Sequence, residues 1–404
     1  MTEISDFGLI VLVVGAGFSL ALFGRTITAR LAIPSAALFL LAAAAASDLV
    51  PRLRDEVSFV TVERIGVVAL IVILFDGGLD IGWRRFRVAA VPILSLGLLG
   101  TFASAGLIAV AAHVLLDLSW VTSGLLGAAL APTDPAVTFS VLGGREIHGR
   151  TGTILKGESG ANDPVGIALM IGMIELATSD DGTFWTVVEE FVIEMAGGAA
   201  VGVAGAALLV PLMRRVRLPS PGLYPLRMLA AAGVIYGAAT LVHGSGFLAV
   251  FVAGILLGDR PVPHRQEING FLSSLGSLAE ITMFVALGLT IDLTDVLESG
   301  AWLDGIILAA LLAFLIRPLV VGSLLLPVQL DRGERLFVMW SGLKGAVPIL
   351  LAALALIGGV DDGDRIYALV FVVVLFSVLV QGTFVPVVAE RLGVKMGRPG
   401  EDQS

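Results

Sequence analysis

About thirteen long apolar runs follow one another along this chain with only short loops between them, and that succession leaves a bundle of membrane helices as the fold. The runs lie near 7–24, 31–47, 62–80, 88–116, 119–142, 151–176, 188–213, 224–243, 245–258, 270–291, 301–327, 334–358 and 366–389. A helix needs about 20 apolar residues to cross a bilayer. Of the 404 residues, 57% are hydrophobic and 15% charged, against about 45–50% and about 25% in soluble domains. The first run follows only Glu3 and Asp6, with no basic region, so it reads as a retained span and not a cleaved signal. No hydrophilic stretch offers room for a separate soluble or regulatory domain. The expected fold is an all-α polytopic membrane protein of about 13 transmembrane helices.

The loop charges orient it. The loops after spans 1, 3, 5, 7, 9 and 11, with the span ends beside them and the tail, hold 18 basic residues, among them Arg25, Arg84, Arg85, Arg87, Arg214, Arg215, Arg217 and Lys395. The opposite loops and the span ends beside them hold 4, namely Arg52, Arg54, Arg64 and Arg365, and are otherwise acidic. By the positive-inside rule the N-terminus faces outward and the C-terminus, with its short tail at 393–404, faces the cytoplasm. The cell membrane is the expected location. Lys156, Arg317 and Lys344 are left within spans and need a reason to be there.

The densest polar stretch is Gly157-Glu158-Ser159-Gly160-Ala161-Asn162-Asp163-Pro164, inside span 6. An aspartate at a helix centre costs roughly 2.5–3.5 kcal/mol even on insertion scales, so two carboxylates within six positions point to an ion pathway. Asp163 is the candidate exchanging group, because desolvation disfavours its bare charge and lets a proton or a cation take the same place. Hard cations take oxygen ligands, and Thr133, Ser159 and Asp163 can supply them to a monovalent cation. Hydroxyls in membrane helices also bond their own backbone, which is the plainer role for Thr133 and Ser159.

Two further spans are interrupted. Span 5 contains Ala131-Pro132-Thr133-Asp134-Pro135, and span 12 contains Gly342-Leu343-Lys344-Gly345-Ala346-Val347-Pro348. Proline removes an amide donor and clashes with the preceding turn, so each run is expected to hold an unwound middle. Broken spans in corresponding places of two halves point to a transporter's binding site. Asp134 is expected to compensate half-helix N-termini and Lys344 the C-termini where the two cross. Span 3, ending Phe75-Asp76-Gly77-Gly78-Leu79-Asp80-Ile81, is echoed by span 10, ending Phe284-Val285-Ala286-Leu287-Gly288-Leu289-Thr290-Ile291-Asp292. Both pairs are seven spans apart, an odd offset that implies inverted-topology repeats.

Glu158 projects about 140° away from Asp163 on a regular helix, and its expected partner is Arg317 in span 11, since removing one member strands a buried charge. Lys156 is expected to snorkel toward the cytoplasmic interface. Asp76, Asp80, Glu189, Glu190, Glu194 and Glu280 are not expected to be ligands. The chain has no Cys, and its four His are scattered, which excludes disulfides and thiolate metal sites. No His/Glu metal motif or nucleophile constellation supports an intramembrane enzyme. A cation channel and a sodium-coupled symporter of an organic anion are the alternatives to an antiporter.

Together, Pro132-Thr133-Asp134-Pro135, Glu158-Ser159-Gly160-Ala161-Asn162-Asp163-Pro164, Arg317-Pro318 and Gly342-Leu343-Lys344-Gly345-Ala346 resemble the monovalent cation:proton antiporters of the NhaP/sodium–proton exchanger type. Ile33-Pro34-Ser35 and Leu74-Phe75-Asp76-Gly77-Gly78-Leu79 look more like the branch containing potassium/proton antiporters of cell volume regulation. The resemblance implies a thirteen-span homodimer in lipid. Scaffold helices 1–3 and 8–10 would fall in 1–87 and 218–300, core helices 4–6 and 11–13 in 88–180 and 301–392, and a linking helix in 181–217, with the core moving like an elevator. It implies that Asp163 exchanges Na⁺ or K⁺ for H⁺, with Thr133, Ser159 and Glu158 near the ion. Asn162, where electrogenic relatives carry a second Asp, implies one-for-one electroneutral exchange. Many relatives have Arg at the position of Lys344. No cofactor and no nucleic-acid partner is expected.

Overall fold

The structure, a computed structural model, describes residues 19, 34–50, 53, 57–142, 145–179 and 183–397. The first apolar run apart from Ser19, together with Arg25, Arg30, Arg52, Arg54, Arg398, Asp180 and Asp181, lies outside the described residues. Within them the chain is mostly helical. A short antiparallel pairing joins β1 (Glu146–Ile147) to β2 (Met396–Gly397).

Helix α1 (Ser35–Leu49) precedes α2 (Phe59–Leu94), which passes through a π-helical turn at Ser95–Gly100 into α3 (Thr101–Leu116). The whole stretch Phe59–Leu116 is 58 residues. Straight, it would be about 87 Å long at ~1.5 Å per residue, against ~30 Å of hydrocarbon, so it has to bend. It does so at Gly82, φ +66° and ψ 161°. The sequence leads one to expect a loop carrying Arg84, Arg85 and Arg87 there, and the structure reduces that loop to one residue. Asp259 explains the economy. Its carboxylate accepts the Arg84 amide at 2.5 Å and stands 2.8 Å from where a Cβ on Gly82 would lie. Only glycine adopts this φ readily.

The rest of the chain follows in order. α4 (Trp120–Leu130) and α5 (Pro135–Ser140) are separated at Ala131–Asp134. α6 (Gly149–Thr178) runs unbroken through Pro164. Then come α7 (Phe184–Arg215), α8 (Leu223–Leu241), α9 (Gly246–Gly258), α10 (Arg265–Leu289) and the short α11 (Leu293–Glu298). α12 (Ala301–Leu311) continues through a π-helical turn at Leu312–Ile316 into α13 (Arg317–Leu324). α14 (Arg332–Trp340) and α15 (Ala346–Ile357) are separated at 341–345. α16 (Gly363–Phe376) passes through a π-helical turn at Ser377–Gly382 into α17 (Thr383–Arg391). Among the described residues five helical stretches are long and apolar enough to cross a membrane: Phe59–Leu116, Phe184–Arg215, Arg265–Leu289, Ala301–Leu324 and Gly363–Arg391. α6 is also long enough, but it carries Lys156, Glu158 and Asp163.

Two sets of contacts organise the helices. α9 lies along α2, and α10 lies along α1. At the first crossing the backbones nearly touch. A Cβ on Gly78 would sit 2.6 Å from the Phe251 carbonyl oxygen, and one on Gly254 would sit 2.6 Å from that of Phe75. Small residues permit such an approach and gain dispersion contact where lipid offers no hydrophobic drive. At the second crossing Gly288 faces the Leu40 carbonyl oxygen at 2.5 Å by the same measure. In the other set α15 is the most enclosed helix, with Ile349, Leu351, Ala352 and Ala353 wholly buried. It packs on α16, α4 and α6, while α3 packs on α4 and α12 on α16.

Candidate ion-binding site

The breaks in spans 5 and 12 meet. The Asp134 amide donates to the Leu343 carbonyl at 2.8 Å, tying one unwound segment to the other. Each half-helix end that the breaks create finds a partner. Lys344 Nζ donates to the carbonyls of Ala131 (3.0 Å) and Pro132 (2.8 Å) at the C-terminal end of α4. Asp134 Oδ1 accepts from the Ala136 amide at 2.8 Å and caps α5, and its other carboxylate oxygen packs on Gly345, just before α15. The C-terminal end of α14 is met by two other side chains. Arg317 donates to the carbonyls of Val338 and Met339, both at 3.1 Å, and Gln381 Nε2 to that of Trp340 at 2.5 Å. The Lys344 amide is held by Ser377 Oγ at 2.9 Å. The glycines of Gly342-Leu343-Lys344-Gly345 are required by contact, since a side chain on Gly342 would collide with the Arg317 guanidinium and one on Gly345 with the Asp134 carboxylate.

Helix α6 presents two polar faces to this crossing, set by its 3.6-residue period. Lys156, Ser159, Gly160 and Asp163 share one face and line a cavity of about 450 Å³. Asp134 and Ala346 from the two broken spans complete that end of the wall. Asp163 is 4% exposed, and its Oδ1 has no hydrogen-bond partner among the described residues. Glu158 and Asn162, four apart, lie on the other face and are also buried. Asn162 Nδ2 donates to Thr133 Oγ1 at 2.9 Å, and that hydroxyl points on to Glu158 Oε1 at 3.5 Å. Arg317 Nη1 and Nη2 then grip Glu158 Oε1 and Oε2 at 2.9 and 3.3 Å, a bidentate pair with both side chains buried.

The candidate ligands therefore separate into two groups. Asp163 and Ser159 stand in the cavity beside Asp134, whereas Thr133, Glu158 and Asn162 are not among the residues that line it. Helix phase is the reason. The side chains at 158 and 162 cannot share a direction with those at 159 and 163, and the unwound segment at Thr133 approaches α6 from the 158/162 side.

Further residues that the sequence pattern does not single out stand around the site. Asp76, Asp80 and Glu280 line the cavity with Asp163. Lys156 does not snorkel freely as expected. Its Nζ pairs with Asp80 Oδ2 at 2.5 Å, with the Phe139 ring 5.2 Å away. The partner is 76 positions distant in sequence, beyond any local pattern. Ser377 and Gln381 could have been noticed, because two polar groups at helical spacing interrupt an otherwise apolar span 13.

Comparison with known proteins identifies the relatives of this chain. Residues 16–391 match the family model described as sodium/hydrogen exchanger, transmembrane. The chain is 33% identical over 403 residues to the K(+)/H(+) antiporter NhaP of Alkalimonas amylolytica, covering 98% of this chain and 69% of that protein. It is 34% identical over 375 residues to the K(+)/H(+) antiporter NhaP2 of Shewanella sp. (strain ANA-3), covering 92% and 64%. The Na(+)/H(+) antiporter NhaH of Halobacillus aidingensis is 27% identical over 365 residues. Among solved structures, the sodium proton antiporter MjNhaP1 from Methanocaldococcus jannaschii shares the fold. Its TM-score is 0.79 at 22% identity, covering 96% of this chain and 99% of that one. The family match spans both broken helices, all of α6 and the Arg317 segment, and the chain belongs to the sodium/hydrogen exchanger family of cation/proton antiporters.

Proposed function

We propose that this chain exchanges a monovalent cation for a proton at Asp163, one for one. The observation that carries the reading is a buried carboxylate oxygen with no hydrogen-bond partner among the described residues, standing at the enclosed end of a cavity. An unpartnered buried charge is costly, so this group calls for a proton or a cation, and one position cannot hold both. Ser159 offers the cation a second oxygen. Asn162 beside Asp163 supplies no second charge, which supports electroneutral exchange. Thr133 and Glu158 act on the site through Asn162 and the ion pair instead of as ligands. The nearer relatives described above are named for K⁺ and the 27% identical one for Na⁺, so K⁺ is the first cation to test.

Thirteen spans in two inverted repeats, an elevator-like core, a homodimer and an outward N-terminus are parts of the same proposal. Support for the repeat comes from the contacts. Span 3 packs on span 9 through Gly78, and span 10 packs on span 2 through Gly288. A seven-span offset that inverts the chain maps the first pair onto the second. The cavity lies between α2 and α10 on one side and α5, α6 and α15 on the other, where a scaffold and a moving core would part. Asp80 and Lys156 mark its wetter end, with side chains 49% and 23% exposed. The positive-inside orientation puts that end toward the cytoplasm.

The test is Asp163→Asn in proteoliposomes. Cation-driven proton movement, read with a pH-sensitive dye and K⁺, Na⁺ or Li⁺ gradients, should vanish while the protein stays monodisperse in detergent. Retained exchange would move the site elsewhere.

A further inference from the structure

Lys156 is the one basic side chain among the described residues that line the cavity. It stands on the same face of α6 as Asp163 and seven residues before it, which is two turns or about 10 Å along the axis. The ammonium is therefore on the route a cation takes from the wetter end to Asp163, where its charge opposes cation entry. Asp80, from α2 on the opposite wall, holds that ammonium at 2.5 Å, while the Phe139 ring lies 5.2 Å from it. The other charged groups on the wall, Asp76, Asp134, Asp163 and Glu280, are all acidic.

We propose that Asp80 sets the cation affinity of the cavity by holding and neutralising the Lys156 ammonium, making it a positioning residue for the exchange reaction although it does not touch the transported ion. The proposal rests on the exchange reading above. A unit charge about 10 Å from a bound cation shifts its binding roughly twofold in bulk water and about fifteenfold at an effective dielectric constant near 20. The partial exposure of the pair places the effect between those limits.

The experiment measures initial rates of K⁺-driven proton movement in proteoliposomes against K⁺ concentration. Asp80→Asn should raise KM for K⁺ about 2- to 15-fold with the maximal rate kept. Lys156→Gln should leave KM at or below the wild-type value. The double variant Asp80→Asn/Lys156→Gln should return KM to within about twofold of wild type, a rescue that a purely mechanical tie between α2 and α6 would not produce. An unchanged KM in Asp80→Asn, a double variant as impaired as that single one, or a KM above wild type in Lys156→Gln overturns the proposal. Lys156→Gln retains that power even if Asp80→Asn does not fold. Exchange lost in Asp163→Asn with KM unchanged in Asp80→Asn refutes only this role. Exchange retained in Asp163→Asn refutes the reading beneath it.

Discussion

Breaking the Glu158–Arg317 pair from either side should give unequal losses, and the inequality can be worked from the bonds each residue makes. Glu158→Ala removes a buried carboxylate gripped at two oxygens and leaves the guanidinium with the carbonyls of Val338 and Met339. Stranding one member of a buried pair costs about 3–5 kcal/mol. Arg317→Ala strands Glu158 and in addition leaves both carbonyls at the end of α14 without this donor, about 1–3 kcal/mol more for each. On the unfolding-entropy scale of globular proteins, a chain of 404 residues loses about 4–6 °C of Tm for the smaller of these penalties. Arg317→Lys should fall between wild type and Arg317→Ala, because an ammonium is a point donor that cannot reproduce a planar fork. The charge swap Glu158→Arg/Arg317→Glu should recover part of the ion pair but not the carbonyl bonds, since a carboxylate cannot donate to them. The assay is thermal unfolding in detergent followed by tryptophan fluorescence. If Arg317→Ala is no less stable than Glu158→Ala, or both melt within about 1 °C of wild type, the pair does not hold α6 to α13 and α14.

Three other outcomes are expected. Transport into liposomes clamped at different membrane potentials should be independent of voltage, and a clear voltage dependence would refute the one-for-one stoichiometry inferred from Asn162 and Asp163. Gly254→Val should destabilise the protein by about 1–3 kcal/mol, because its Cβ would stand 2.6 Å from the Phe75 carbonyl oxygen; unchanged melting would mean that α2 and α9 can separate cheaply. Lys344→Met keeps the length of the side chain but strands the Ala131 and Pro132 carbonyls, so the melting temperature should drop, while Lys344→Arg, which retains donors, should lose less. Equal melting of wild type and Lys344→Met would remove the capping role.

The framework of the site is legible in the sequence because membranes make polar groups conspicuous. Asp134, Glu158, Asp163, Arg317 and Lys344 stand out against apolar surroundings, and Pro132, Pro135 and Pro348 announce the broken helices through a local steric rule. The sequence does less well on which of those groups face one another. Thr133 reads as a partner of Asp163 by residue type, yet its hydroxyl is spent on Asn162 and Glu158. Lys156 reads as an interfacial charge and Asp80 only as a carboxylate that is no ligand, and their pairing depends on how α2 is placed beside α6.

The order of residues alone makes this chain a bundle of membrane helices with two interrupted spans and a carboxylate within a third. Those follow from hydropathy, proline sterics and the cost of buried charge, all local quantities. Three features emerge only in three dimensions: the carboxylate face that opens on the cavity, the closing of the α14 end by Arg317 rather than Lys344, and the touching of α2 and α9 at Gly78 and Gly254. These depend on helix phase and on contacts between segments far apart in the chain, and composition and spacing carry no record of either.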